Sequence, residues 1–128
     1  MTRLLLDTTC LIDVDRSRFS LEDVVDDHDD IAIAAITAAE LAVGALIAPR
    51  RFREARRDFF EAITRLIPVI DYDLPIALHH AALLAEVRRQ GRPRGAHDLI
   101  IAATARATER VVVTADSSAF AGLSGVTV

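Results

Sequence analysis

The run Leu4-Leu5-Leu6-Asp7-Thr8-Thr9 sets the strictest condition on what this chain can fold into. Consecutive aliphatic residues leave no polar face, so a strand made of them is buried on both sides, as in a parallel sheet covered by helices. Asp7 then falls at the carboxyl end of the strand, the edge where open α/β sheets gather their chemistry. Residues 31–34, 67–70 and 111–113 read as further strands, with Pro68 suggesting an edge position for its own. Residues 125–128 read as a last short strand.

Helical segments separate these runs. A helix starts at residues 9–14 and a short one lies at 21–25. Thr37-Ala38-Ala39-Glu40 before an apolar run has the form of a capping box, with Thr37 capping a helix and Glu40 reaching back to it. Residues 49–66, opened by Pro49, repeat Phe52, Ala55, Phe59, Ile63 and Leu66 at helical spacing as a buried stripe. Arg50, Arg53 and Arg57 fall on another face, and Arg50–Glu54 and Arg57–Glu61 have the spacing of ion pairs along a solvated helix. Residues 74–90 form a helix that buries Ile76, His80, Leu83, Leu84 and Val87 and stops at Gly91. His79 and His80 point about 100° apart on such a helix and read as structural. Residues 97–105 are nearly all apolar and demand a buried helix. The expected fold is α/β: a three-layer α/β/α sandwich around a mainly parallel sheet of four to five strands, in one domain spanning residues 1–128.

Composition narrows the classes of function. The chain carries 19 acidic residues against 15 basic ones, all arginine, for a net charge of −4. That balance counts against a general nucleic-acid coat protein, whose affinity comes from neutralising phosphates. It leaves room for an enzyme that grips nucleic acid through a local arginine patch. No apolar stretch approaches the roughly 20 residues needed to span a bilayer, and the first residues lack a secretory apolar region. With Cys10 as the one cysteine, an internal disulfide is impossible. A soluble cytoplasmic protein without membrane contact is expected.

Acidic residues then stand out by position. The run Asp26-Asp27-His28-Asp29-Asp30 reads as a solvated turn. Asp7, Glu40, Asp98 and Asp116, by contrast, each follow a strand or open a buried helix, and the fold brings those places to one edge. Each has an ordinary structural account as a turn or cap residue. Asp98, for example, gains about 0.5 kcal/mol from the dipole of its helix. The shared position is what those accounts do not foresee. Two carboxylates about 4 Å apart repel by roughly 4 kcal/mol at an effective dielectric of 20, so such a cluster asks for a cation. Oxygen-only ligands suit Mg²⁺ or Mn²⁺, and the lack of Cys/His spacing argues against zinc. The chemistry such a site supports is phosphoryl hydrolysis by activated water.

Leu4-Leu5-Leu6-Asp7-Thr8-Thr9-Cys10-Leu11-Ile12-Asp13, the Thr37-Ala38-Ala39-Glu40-Leu41 helix start, Gly91-Arg92-Pro93-Arg94-Gly95-Ala96-His97-Asp98-Leu99-Ile100-Ile101-Ala102-Ala103 and Val113-Thr114-Ala115-Asp116 together resemble the PIN-domain ribonucleases. Within them the sequence is similar to the VapC-type toxins of toxin–antitoxin pairs, over essentially its whole length. The resemblance implies Mg²⁺- or Mn²⁺-dependent hydrolysis of RNA, commonly tRNA or rRNA. It implies Asp7 and Asp98 as principal metal ligands, Glu40 as a metal ligand or water-orienting group, and Asp116 as the residue completing the cluster. It also implies a homodimer and a cognate VapB-type antitoxin whose tail enters the active-site groove. One departure bears on a second metal: many relatives carry a further acid just before the phenylalanine matched by Phe120, where this chain has Ala119.

Aspartate-nucleophile phosphatases of the haloacid-dehalogenase type need a second aspartate where Thr9 stands, and a lysine. Receiver domains need a lysine too, and the chain has none. The remaining alternative is a catalytically silent PIN-fold module that only binds protein or RNA. For substrate grip, the aromatics Phe19, Phe52, Phe59, Phe60, Tyr72 and Phe120 mostly fit core stripes rather than a base-stacking platform. Arg92 and Arg94, nearest Asp98 in sequence, are the expected contacts to RNA backbone.

Overall fold

A computed structural model describes residues 1–18, 20–23 and 25–128. In chain order the elements are β1 (Arg3–Leu6), α1 (Thr8–Asp15), a 3₁₀ turn (Leu21–Asp23), β2 (Asp30–Ala34), α2 (Ala35–Ile47), α3 (Arg50–Leu66), β3 (Val69–Ile70), α4 (Leu74–Gln90), α5 (Ala96–Ala107), β4 (Val111–Val113) and a second 3₁₀ turn (Ser117–Ala119). The strands form one sheet in the order β3-β2-β1-β4, and every pairing is parallel. No helix among the described residues is long and apolar enough to cross a membrane.

The strands show why an all-aliphatic run was needed. Leu5 of β1 points into a core made with α4 and α5, where Ile76, Leu83, Leu99 and Ile101 surround it. Its neighbours Leu4 and Leu6 point the other way, into a second core with Leu11, Leu41 and Ile63. Ala32 and Ala34 of β2 share the first core and Ile33 the second, and Val112 of β4 joins Leu5. This is the period-two alternation of a strand with helices on both faces. At the strands' amino ends, Arg110 Nη1 donates to the carbonyls of Leu4 and Asp30 and to the Asp30 carboxylate, closing the edge opposite the acids.

Several sequence expectations change. Residues 125–128 do not form a strand; the segment meets β4 through one hydrogen bond, Val112 N–H to the Thr127 carbonyl at 2.9 Å. The sheet therefore has four strands and is wholly parallel. The capping box does not form either. β2 runs straight into α2, whose N-cap is Ala34 with no side-chain cap, so Thr37 lies inside the helix and is fully buried. Leu66, placed on the buried stripe of α3, is 76% exposed; Ile63 and Ile67 carry that contact instead. Neither Arg50–Glu54 nor Arg57–Glu61 is among the ion pairs of the described residues, where Arg56 reaches Asp15 across to α1 at 2.9 Å. The short helix expected at 21–25 is the 3₁₀ turn, with Val24 outside the described residues. Phe19 lies outside them as well, whereas Phe120 is buried and Phe52 and Tyr72 are exposed.

Elsewhere the local rules hold. Pro68 lies just before the edge strand β3, and its carbonyl accepts from Ile33 N–H. Asp73 caps α4 and Gly91 ends it in the left-handed region at φ 64°. His80 is half-buried and shares a 2.8 Å hydrogen bond with the Tyr72 hydroxyl. Asp26 and Asp29 close their acidic turn through backbone amides.

Candidate functional site

Asp7 ends β1 and caps α1. Its Oδ1 accepts the Cys10 amide at 2.9 Å, the geometry of an N-cap, worth about 1 kcal/mol to a helix. The same oxygen accepts from the Thr9 hydroxyl at 2.8 Å, and Oδ2 accepts from the Thr114 hydroxyl at 2.6 Å. The carboxylate is almost fully buried, and a buried charge needs such donors. Both hydroxyls also accept a backbone amide from the loop after β4: Ala115 N–H reaches Thr9 Oγ1 and Asp116 N–H reaches Thr114 Oγ1. The ends of adjacent strands β1 and β4 are thereby joined around one carboxylate.

Glu40 lies in the second turn of α2, released from the capping role. Thr8, the first residue of α1, donates its hydroxyl to Glu40 Oε1 at 2.8 Å, and His97 Nδ1 lies 3.5 Å from Oε2. Asp98 follows in the first turn of α5. Gly95, which precedes that helix, leaves room for it: a Cβ there would stand 2.8 Å from Asp98 Oδ2. Asp116 opens the second 3₁₀ turn, is exposed, and accepts from the Ser118 hydroxyl at 2.5 Å.

The sheet brings these four acids to one edge, and electrostatics records their proximity. Asp98 is held above the ordinary carboxylate range, first by burial and then by repulsion from the Asp7, Glu40 and Asp116 carboxylates. His97 acts in the opposite direction. The acids ring the space without closing on one point: among the described residues, no three His, Cys, Asp or Glu side chains are arranged to hold an ion between them. A cation that keeps several of its waters does not need such a cage. The donor chemistry fits a hard divalent ion. The nearest soft ligand, Cys10, is pushed up to about 12 by burial and by the charges of Asp7 and Asp13, so it stays a neutral thiol.

The two arginines singled out from the sequence differ. Arg92 is exposed. Arg94 turns inward and donates to the carbonyls of Ser118, Ala119 and Ala121, so its guanidinium already serves the protein. The hydroxyl groups at the site are not among the residues expected from the sequence. Thr8 and Thr9 directly after Asp7, and Thr114 two residues before Asp116, were the available signal.

The PIN domain family model matches residues 4–125. The tRNA(fMet)-specific endonuclease VapC of Shigella flexneri is 31% identical, with 98% of this chain and 96% of that protein covered. The tRNA(fMet)-specific endonuclease VapC of Salmonella typhimurium is 34% identical over the same shares. Among solved structures, DNA-bound VapBC from Salmonella typhimurium superposes with a TM-score of 0.88 at 28% identity, covering 99% of this chain and 96% of that one. The chain belongs to the PIN-domain family, and within it to the VapC type.

Proposed function

We propose that this protein is the endoribonuclease toxin of a toxin–antitoxin pair, a single domain that cleaves RNA phosphodiesters with Mg²⁺ or Mn²⁺ and so inhibits translation. The observation that carries the metal reading is the gathering of Asp7, Glu40 and Asp116 around Asp98, whose carboxyl is raised first by burial and then by those three carboxylates, a charge that a divalent cation would offset. Nuclease activity and a VapB-type partner are supported by the relatives and by a VapBC structural neighbour; the relatives' printed specificity supports a tRNA substrate, and rRNA rests on the resemblance alone.

In this reading Asp7 and Asp98 hold the cation, and Asp116 completes the acidic ring. A divalent cation there supplies Lewis-acid stabilisation of phosphoryl charge and lowers the pKa of water. Glu40 orients the attacking water, its carboxylate fixed by the Thr8 hydroxyl at 2.8 Å. The Thr9 and Thr114 hydroxyls hold both oxygens of Asp7, so the carboxylate keeps one rotamer while charge develops on substrate. Arg92, exposed and six residues before Asp98 in the chain, offers its charge to RNA backbone. An apolar groove between α1, α2 and α3, lined by Ile12, Leu41, Ile47 and Phe52, runs up to Glu40 and is rimmed by Arg16 and Arg56. Occupied by an antitoxin segment, it would close access to the acids.

Purified protein should cut a cellular RNA pool in Mg²⁺ or Mn²⁺, and EDTA should abolish cutting. Asp7→Asn should reduce the rate at least ~100-fold while the protein remains folded by circular dichroism, the loss expected where a metal carries the chemistry. Wild-type cleavage by Asp7→Asn would overturn the metal assignment. Metal-independent RNA binding without cleavage would favour a silent module instead.

A further inference from the structure

The geometry points to Arg94 as a positioning residue, one that fixes the loop bearing Asp116 relative to the loop bearing Asp98. Arg94 leaves the chain four residues before Asp98, in the segment between α4 and α5. Its guanidinium crosses to the far loop. Nη1 donates to the Ser118 carbonyl at 3.2 Å and to the Ala119 carbonyl at 3.0 Å, and Nη2 donates to Ala121 at 2.6 Å. Ser118 and Ala119 lie in the 3₁₀ turn that Asp116 opens, and carbonyls at the end of a helical turn lack partners within it. A planar fork of donors suits several carbonyls at once, whereas a lysine ammonium is a point charge.

On the near side, Leu99 N–H returns to the Gly95 carbonyl at 3.1 Å, fixing the start of α5 directly after Arg94. On the far side, Ser118, whose carbonyl Arg94 holds, donates its hydroxyl to Asp116 Oδ1. The path from one acid to the other thus runs through Arg94 and Ser118. Among the described residues no other side-chain hydrogen bond joins these two loops. Thr9 and Thr114 anchor Asp7 and also hold the Ala115 and Asp116 amides, so Arg94 fixes the following stretch, residues 118–121, relative to the start of α5.

The inference rests on the metal reading above, and the full chain can separate the two. Mn²⁺ binding is measured by electron paramagnetic resonance for wild type, Arg94→Ala, Arg94→Lys, Asp116→Asn, the Arg94→Ala/Asp116→Asn double variant and Asp7→Asn. Amide exchange across residues 116–121 is measured without metal. Arg94→Ala should weaken Mn²⁺ binding about tenfold, as the loss of groups orienting metal ligands does, and speed exchange in that segment. Arg94→Lys should not restore binding, and the double variant should bind no more weakly than Asp116→Asn. RNA affinity in EDTA should be unchanged. Wild-type Mn²⁺ affinity in Arg94→Ala and Arg94→Lys, with Asp7→Asn still impaired, would overturn the inference and leave the metal reading standing. So would a double variant whose losses simply add, or a drop in RNA affinity with a salt slope shallower by about one, which would make Arg94 a phosphate contact. If Asp7→Asn binds Mn²⁺ like wild type, both readings fall.

Discussion

Asp98 carries a cost that the fold imposes. Its neighbours on α5, Leu99 and Ile101, are buried, and the other carboxylates face it from β1, α2 and the loop after β4. Its folded pKa is raised, so below the ordinary carboxylate range of about 4 it is protonated in both states and costs nothing. As pH rises through that range the unfolded chain ionises first, and stability falls until the folded group also ionises. Asp98→Asn removes this loss. In EDTA the variant should be more stable than wild type at pH 7, with the gap closing as pH falls below about 4. Adding Mn²⁺ should reverse the order, since the amide cannot hold the ion. Urea unfolding across pH 3–8 reads both effects, and a gap independent of pH would contradict the electrostatic account. The same crowding explains Gly95, where even a methyl group would press on the Asp98 carboxylate.

The element that sets the site is β1. It lies between β2 and β4, and its side chains alternate between both cores, so it has no freedom to shift in register without exchanging them. Leu5 is wholly buried, and Leu5→Ala should cost ~2–5 kcal/mol in urea unfolding. Leu66→Ala, on the solvent side of α3, should stay within about 0.5 kcal/mol. Equal costs would mean that β1 is not the central strand. Rigidity here has a functional sense: the N-cap that starts α1 and the carboxylate that faces Asp98 are the same residue, so any movement of β1 moves the site.

At the scale of the whole molecule, the flank around β3 is left uncovered. β3 is an edge strand, and Leu66, Val69, Tyr72, Leu74 and Leu78 around it are exposed. The opposite edge is partly covered by the Val112–Thr127 hydrogen bond. An uncovered edge with apolar side chains invites a second surface. If the chain pairs with a second copy, as the resemblance to the VapC type implies, this flank is the surface expected to carry the contact. Sedimentation should give a dimer for wild type and a monomer for Leu78→Glu, which introduces a charge at a position 63% exposed in the single chain. A Leu78→Glu dimer as tight as wild type would move the interface elsewhere.

The sequence by itself determined the features that depend on neighbours along the chain. The aliphatic runs demanded strands buried on both faces, Asp73 and Gly91 marked the ends of α4, and four acids after strands or at helix starts foretold a shared edge. Tertiary structure decided the rest, because it depended on partners far apart in sequence. Thr37 and Glu40 had correct local spacing for a capping box, yet β2 runs into α2 at Ala34 and turns Glu40 toward Thr8. Leu66 kept helical spacing, but the sheet meets α3 at Ile63 and Ile67 and leaves Leu66 in water. Arg94 is expected from the sequence to contact RNA backbone, and the loop after β4 presents it with three carbonyls of the protein itself. Periodicity and capping chemistry act over a few residues and can be read from the chain. The direction in which a polar side chain turns is set by whichever distant donor or acceptor the fold brings within hydrogen-bond reach.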